Sequence, residues 1–153
     1  ASSGLDVYDS KSESFGHIPI QKNGISTIFS DSRGRMWIGS NTSLKYFYPA
    51  NPKRTVSVDL KTETDYLIYT IYEDHEKNIW VGSNKGLFVL FFDNKNNISV
   101  KKFTSNQQEY SLSSNDISSI TEDADKNLWI GTRTEGINLF DKKKNRFYNL
   151  KKI

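Results

Sequence analysis

Cysteine is absent from these 153 residues, and histidine, methionine and proline are scarce, with two, one and three copies. Without cysteine the chain forms neither a disulfide scaffold nor a thiolate metal site, but this absence does not identify a compartment. His17 and His75 each lack a second ligand at metal-binding spacing, so a zinc or iron site is not expected. The sequence predicts no metal and no cofactor.

Long apolar runs are also missing, since none approaches the ~20 residues that span a bilayer, and the opening residues do not form a signal peptide. We expect no membrane contact by this segment. Hydrophobic residues make up only 35% of the chain, but aromatic residues reach 13%, which is typical of proteins built from strands. The length fits one domain or part of one.

Basic and acidic residues nearly balance, at 21 and 18, and give a net charge of +3. One basic cluster lies near the end of the chain, at Lys142, Lys143, Lys144, Arg146, Lys151 and Lys152. It could form a nucleic-acid patch, but we interpret it as a solvated terminal strand whose lysines discourage edge pairing. No nucleic-acid binding is predicted for this segment.

An eleven-residue pattern occurs three times, as SDSRGRMWIGS (30–40), EDHEKNIWVGS (73–83) and EDADKNLWIGT (122–132). Its tryptophans are 43 and 49 residues apart, inside the range of propeller blades and some solenoids. Each copy also has isoleucines twelve and nine residues before the tryptophan, an aspartate six before it and a glycine two after it. The aspartate, tryptophan and glycine positions hold Asp31, Trp37, Gly39, Asp74, Trp80, Gly82, Asp123, Trp129 and Gly131.

Each repeat contains four short strand candidates separated by turn residues: an Ile-x-x-Ile segment, the tryptophan segment and two further apolar segments. A helical solenoid would need amphipathic stretches of ten or more residues, which are missing. The sequence therefore predicts an all-β fold of four-stranded antiparallel blades, a β-propeller. On an inner strand, Ile25 and Ile28 are expected to point to opposite faces.

Residues 3–9 and 12–20 match the third and fourth strands of a repeat, which gives about three and a half blades. We predict a half blade over 1–22 and blades over 23–64, 65–113 and 114–153. A ring normally needs four to eight blades, so all four units are expected to belong to one larger propeller. The expected partners are the remaining blades of that propeller or a second copy of the chain.

The repeat residues are expected to be structural. Asp31 should bond amides inside a tight hairpin turn, with Gly34 in the left-handed conformation. Lys77 and Lys126 stand at the glycine position and would bear a positive φ or use another turn. The tryptophan should wedge between blades, and the glycine after it should allow close strand approach.

The pattern I-x-x-I-x-x-D-x-x-G-N-L-W-I-G-T followed by G-L/I-x-x-F/Y resembles the two-component regulator propeller repeat. The resemblance covers almost the whole chain, including EYSLSSNDI (109–117) as the usual lead-in. WD and Kelch repeats fit less well, because no Trp-Asp dipeptide ends a strand and no Gly-Gly pair occurs. The sialidase Asp-box places tryptophan five residues after aspartate, whereas the distance here is six.

The resemblance implies the periplasmic sensor region of a hybrid two-component system of gut Bacteroidetes, anchored in the inner membrane as part of a sensor histidine kinase and response regulator. There, oligosaccharides released from glycans drive phosphorelay and transcription. This segment would be non-catalytic and serve recognition or scaffolding. The alternative is a propeller enzyme such as a virginiamycin-type lyase or lactonase, which the scarcity of histidine and metal ligands disfavours.

A ligand is expected on the face that carries the loops between strands two and three and between strand four and the next strand one. Stacking aromatics with amide and charged side chains suit a sugar, and Lys85 and Arg133 suit an acidic one. The candidates from both loop sets are Asn41, Tyr66, Asn84, Lys85, Tyr110, Arg133 and Glu135. The carboxylate pairs Glu73–Asp74 and Glu122–Asp123 recur by repeat position, which indicates architecture rather than acid/base chemistry. No catalytic residue is predicted.

Overall fold

The computed structural model describes residues 4–19 and 24–150, and within those ranges it contains fourteen β-strands and no α-helix. Two strands form an opening sheet, β1 (Leu5–Asp9) and β2 (Ser14–Ile18). The first blade has β3 (Ile25–Ser30), β4 (Met36–Ser40), β5 (Ser43–Phe47) and β6 (Val56–Val58). The second has β7 (Ile68–Glu73), β8 (Ile79–Ser83), β9 (Gly86–Phe92) and β10 (Ile98–Phe103). The third has β11 (Ile117–Glu122), β12 (Leu128–Thr132), β13 (Ile137–Asp141) and β14 (Arg146–Asn149).

Strands pair with their neighbours in chain order, and every pair is antiparallel. The predicted all-β fold of four-stranded blades is confirmed. That the units together belong to one larger propeller stays a prediction. In the described ranges no helix is long and apolar enough to cross a membrane.

The turn after the first strand of each blade is built around the repeat aspartate. Asp31 Oδ1 accepts hydrogen bonds from the amides of Arg33 and Arg35, both at 2.9 Å. Gly34 has a φ of 75°, and the equivalent Lys77 and Lys126 have φ of 68° and 69°. The backbone conformation of the turn is therefore kept in all three blades even where a lysine must adopt the left-handed region.

The second carboxylate oxygen of each aspartate accepts the indole N–H of the repeat tryptophan. The Nε1–Oδ2 distances are 2.7, 2.8 and 2.7 Å in the first, second and third blades. A buried indole donor needs an acceptor, so the aspartate fixes the orientation of the ring. The constant six-residue spacing of Asp and Trp reflects this bond.

The expectation that the two repeat isoleucines point to opposite faces is wrong. Ile68 and Ile71 join the same apolar core, between the first and second blades. The reason is a register shift between Ile68 and Thr70, which inserts one residue and changes the alternation of side chains. The first and third blades show the same shift, between Ile25 and Thr27 and between Ile117 and Ser119.

The first and second blades turn their tryptophans toward the blade that follows. Trp37 is buried in the core shared by the first and second blades, and Trp80 in the core shared by the second and third. The glycine beside each tryptophan permits this contact. A Cβ on Gly82 would lie 2.8 Å from Ile117 Cγ2 of the third blade, so only glycine fits without rearrangement.

Polar contacts join the blades at the turns. Glu73, at the end of the first strand of the second blade, accepts from the amide and hydroxyl of Ser32 in the preceding turn, both at 2.8 Å. Glu122 occupies the same place in the third blade and accepts from His75 Nδ1 at 3.0 Å and its amide at 3.3 Å. The paired carboxylates therefore have structural partners, as the repeat position indicated.

The interpretation of the basic cluster as a solvated strand is wrong for Lys142. Its amine lies 2.9 Å from both Asp74 Oδ2 and Glu122 Oε2, and its side chain is 16% exposed. The Asp74 side chain is fully buried and that of Glu122 is 6% exposed. The lysine therefore neutralises two carboxylates at the junction of the second and third blades.

The charge state of these turns predicts a loss of stability in acid. Burial acts to raise the pKa of Asp74, but hydrogen bonds from Trp80 and Lys142 outweigh it and lower the pKa below its ordinary value. The pKa of Glu122 is lowered too, where bonds from His75 and Lys142 outweigh burial. A lowered folded-state pKa adds stability above the unfolded pKa, about 4, that disappears as pH falls through the folded value.

We therefore expect the melting temperature to stay level from neutral pH to about pH 5 and to fall steeply below pH 4. Thermal unfolding followed by circular dichroism across this range measures the effect. The Asp74→Asn variant should melt at a lower temperature at neutral pH and lose less on acidification. Parallel acid profiles for the two proteins would contradict the assignment.

Candidate ligand-binding surface

The two loop sets expected to hold a ligand lie on one face and are joined by backbone hydrogen bonds. The amide of Thr42 donates to the carbonyl of Tyr66 at 2.7 Å, and the amide of Arg133 donates to that of Asp116 at 2.9 Å. The amide of Asn84 likewise donates to the carbonyl of Leu67, at 3.1 Å. The loop after the second strand of one blade therefore contacts the segment entering a first strand.

Two of the candidate residues have structural positions. Asn84 Oδ1 accepts from the amide of Leu67 at 2.8 Å and so ties the second blade to its entering segment. Tyr66 is 8% exposed and belongs to the core between the first and second blades. Its ring therefore offers little surface for stacking on a sugar.

Three further candidates lie on the loop face. Asn41 is exposed and its backbone forms a bridge with Leu67. Lys85 is half-buried, and its amide donates to Ser83 Oγ at 2.9 Å. Arg133 is exposed and its guanidinium carbon lies 4.7 Å from the centre of the Tyr69 ring. Arg133 is thus held against an aromatic ring.

Tyr110 and Glu135 are brought together in one cavity of about 580 Å³ at the outer side of the third blade. The cavity lies between residues 105–113 and β14, and Tyr148 and Asn149 also line it. We call it the Tyr110 cavity.

The segment that carries Tyr110, residues 104–116, is fixed at both ends and in the middle. Asn115 Oδ1 accepts from the amide of Ser105 at 2.7 Å, and Leu112 is 1% exposed. Fully buried Asn138 accepts from the amide of Ser113 and donates to its hydroxyl at 2.8 Å. The segment is therefore held in place by hydrogen bonds and packing, and it forms one side of the cavity.

The position of Tyr110 is unusual for a bulky residue. Its φ is 65°, in the left-handed region that side chains of this size seldom adopt. Its carbonyl accepts the amide of Phe147 at 2.9 Å, which covers part of the free edge of β14. Strain of this kind persists only where surrounding contacts enforce it, and it is frequent at binding sites.

The Tyr110 ring is surrounded by groups that sequence reasoning missed. The Tyr148 ring lies 5.4 Å away at 70°, an edge-to-face pair, and the Arg146 guanidinium carbon is 4.6 Å from the ring centre. A hydrogen bond with Glu109 raises the pKa of the Tyr110 hydroxyl. Tyr110 remains 39% exposed, so part of an aromatic surface with polar neighbours faces solvent.

A second cavity, of about 790 Å³, lies beside the first blade and is lined by residues 42–45, 57–59 and 62–66. Tyr66 is the aromatic residue of its lining and is buried. Although this cavity is larger, it lacks an exposed ring on which a sugar could stack. The Tyr110 cavity is therefore the better candidate.

Clustered metal ligands do not occur in the described part of the chain, where no group of three or more His, Asp or Glu side chains is placed to hold an ion. Asp123 and Asn127 are joined inside their turn: the Asn127 amide donates to Asp123 Oδ1 at 3.0 Å. These side chains form a turn rather than a binding loop.

Solved structures of much longer chains share this architecture. The extracellular domain of a B. thetaiotaomicron protein described as a hybrid two-component system is 23% identical, with a TM-score of 0.75, over 90% of this chain and 19% of that chain. A second such domain from the same organism is 22% identical, with a TM-score of 0.69, over 85% and 19%. PorZ, a surface component of the type-IX secretion system of Porphyromonas gingivalis, is 13% identical, with a TM-score of 0.70, over 95% and 24%.

The chain thus spans about a fifth of the length of these structures, and likeness at this identity establishes the propeller-type fold alone. A search of the curated proteins found no match. The family described as two-component regulator propeller matches residues 19–42, 62–85 and 111–134. Each matched stretch contains one Ile-x-x-Ile strand, its aspartate turn and its tryptophan strand. The chain therefore carries three copies of the two-component regulator propeller repeat, which together cover just under half of its residues.

Proposed function

We propose that this chain is a non-catalytic segment of an extracytoplasmic sensor propeller that binds an oligosaccharide in the Tyr110 cavity. Three family repeats and the likeness to extracellular domains described as parts of hybrid two-component systems support the sensor role. The parent protein would be a sensor histidine kinase and response regulator of the inner membrane, with this part in the periplasm. Binding would act through phosphorelay on transcription of glycan-utilisation genes.

The observation that supports an oligosaccharide as the ligand is the pair of rings formed by Tyr110 and Tyr148, with Tyr110 on the hydrogen-bonded segment 104–116. Sugars bind proteins through their C–H faces on aromatic rings and through hydroxyl groups on amide and carboxylate side chains, and both kinds of surface line this cavity. Gln107, Glu109 and Asn149 add polar groups near the rings. A cavity of this size accepts a di- or trisaccharide.

We expect replacement of Tyr110 by Ala to weaken oligosaccharide binding about tenfold, the loss of one aromatic contact worth ~1–1.5 kcal/mol. A glycan array identifies the ligand and titration calorimetry measures the affinity. Tyr48→Ala is the matched control, because Tyr48 is 49% exposed on another blade and lies outside the cavity. Equal affinity of the Tyr110→Ala protein and the unchanged chain would refute this site.

A further inference from the structure

A small cavity lies where residues 48–55 connect the third and fourth strands of the first blade. Its volume is about 380 Å³, and it is lined by Tyr46, Tyr48, Asn51, Arg54 and Val56. We call it the Tyr48 cavity. Among the described residues it shares no lining residue with the Tyr110 cavity of the third blade, so a ligand here would be independent of the proposed oligosaccharide site.

One side of the Tyr48 cavity is apolar. Tyr46 and Tyr48 lie two residues apart, so an extended chain places both on one face, and their rings form an edge-to-face pair at 6.3 Å and 89°. Val56 stands opposite Tyr46 in the register of β5 and β6 and extends this surface. Tyr48 is 49% exposed and Val56 is 38% exposed, so part of the apolar side faces solvent and can receive a ligand.

The connection that forms the other side of the cavity is restrained. The amide of Asn51 donates to the carbonyl of Tyr48 at 2.8 Å, and the amide of Arg54 donates to the carbonyl of Asn51 at 3.1 Å. Two of the three prolines of the chain, Pro49 and Pro52, also lie in this connection, and each fixes its own φ. Little backbone freedom therefore remains to be lost when a ligand binds.

Arg54 differs from the other four arginines of the chain. Each of those four holds its guanidinium carbon over an aromatic ring, at 4.1 to 4.8 Å from the ring centre: Arg33, Arg35, Arg133 and Arg146. Within the described residues, the guanidinium of Arg54 has no ion pair, hydrogen bond or ring contact, although two tyrosines line the same cavity. Its donors are therefore available to an acid that enters the cavity.

The charge around the cavity favours an anion. Residues 32–58 contain five basic side chains and neither Asp nor Glu, although the whole chain has 21 basic and 18 acidic residues. The planar guanidinium of Arg54 can bind a carboxylate through two parallel hydrogen bonds. The amide of Asn51 lines the same cavity and supplies a further donor.

We infer that the Tyr48 cavity binds a small aromatic carboxylate. The ring of the ligand packs against the two tyrosines and Val56, and its carboxylate accepts hydrogen bonds from Arg54 and Asn51. A sugar acid fits less well, because most of its hydroxyl groups would lose water against the apolar side without gaining a partner. The segment then has a second ligand, of a different chemical class from an oligosaccharide.

An NMR titration of the chain with 3-phenylpropionate tests the site. The side-chain N–H signals of Arg54 and Asn51 should shift and reach saturation. The amide 3-phenylpropanamide, which has the same ring and no charge, should bind at least about tenfold more weakly. D-Glucuronate, which carries its carboxylate on a sugar ring, should also bind at least about tenfold more weakly. Equal binding of either compound, or no saturation by about 10 mM 3-phenylpropionate, overturns the inference.

Two matched variants assign the charge to one side chain. Arg54→Met should lower the affinity for 3-phenylpropionate at least about tenfold. Lys53→Met removes the same charge from the neighbouring exposed residue, which is not part of the cavity lining, and should change the affinity less than about twofold. An equal loss in both variants would assign the binding to net charge and would overturn the inference.

Discussion

Replacement of Trp80 by Ala should lower the free energy of unfolding by ~3–5 kcal/mol, the cost of removing a large buried ring. Trp80 packs against Phe140 of the third blade at 5.7 Å and against Phe103 at 6.1 Å, and it holds Asp74 through its indole. The substitution therefore opens a cavity at a blade junction and removes a turn contact together. Urea unfolding followed by far-ultraviolet circular dichroism measures the change.

Trp129→Ala is the internal control for this effect. It removes the same side chain and the same indole-to-aspartate bond, at 2.7 Å, but from a half-buried position that no other sheet of the described residues covers. We expect a loss of no more than about 2 kcal/mol. Equal losses for the two variants would mean that the tryptophans act within their own blades and not between blades.

Replacement of Lys142 by Met should cost about 2–4 kcal/mol, because it leaves two buried carboxylates without their cation. Methionine keeps most of the apolar length of the side chain, so the loss reports the charge. The two carboxylates, Asp74 and Glu122, would then favour protonation, and the variant should lose less stability than the unchanged chain as pH falls. Urea unfolding at pH 7 and at pH 4 measures both parts.

Lys144→Met supplies the comparison for Lys142. Lys144 lies two residues away, is 63% exposed and stands 3.6 Å from Asp141. A surface pair of this kind contributes little, so the change should stay within about 0.5 kcal/mol. A result in which both lysines matter equally would assign the loss to net charge rather than to the junction.

Much of the architecture could be predicted because the repeat is short and strongly patterned. Asp31, Trp37 and Gly39 fixed the turn and the strand that follows it, and Gly34 fixed the backbone conformation of the hairpin. The bulge at Ile68 and Thr70 could not be read from the residues, since an inserted position leaves no characteristic side chain behind. It reversed the predicted direction of one isoleucine in each repeat.

The candidate site was harder to predict, because it depends on which loops meet. Tyr110 was found through its repeat position, but its neighbours Tyr148 and Arg146 lie more than thirty residues later in the sequence. Lys142 was misread for a similar reason. A run of lysines is usually solvated, and the contact of Lys142 with Asp74 and Glu122 forms only when the second and third blades pack together.

The two apolar cores have one sheet in common, since the second blade contributes Phe88 and Leu90 to one and Leu87 and Val89 to the other. Stability in such an array behaves as a sum of nearest-neighbour couplings along a line, as in repeat proteins. The outer sheets can then melt singly while the central one cannot open without releasing both neighbours. The free energy needed to open one of the three blades therefore depends on whether that blade lies in the middle or at an end.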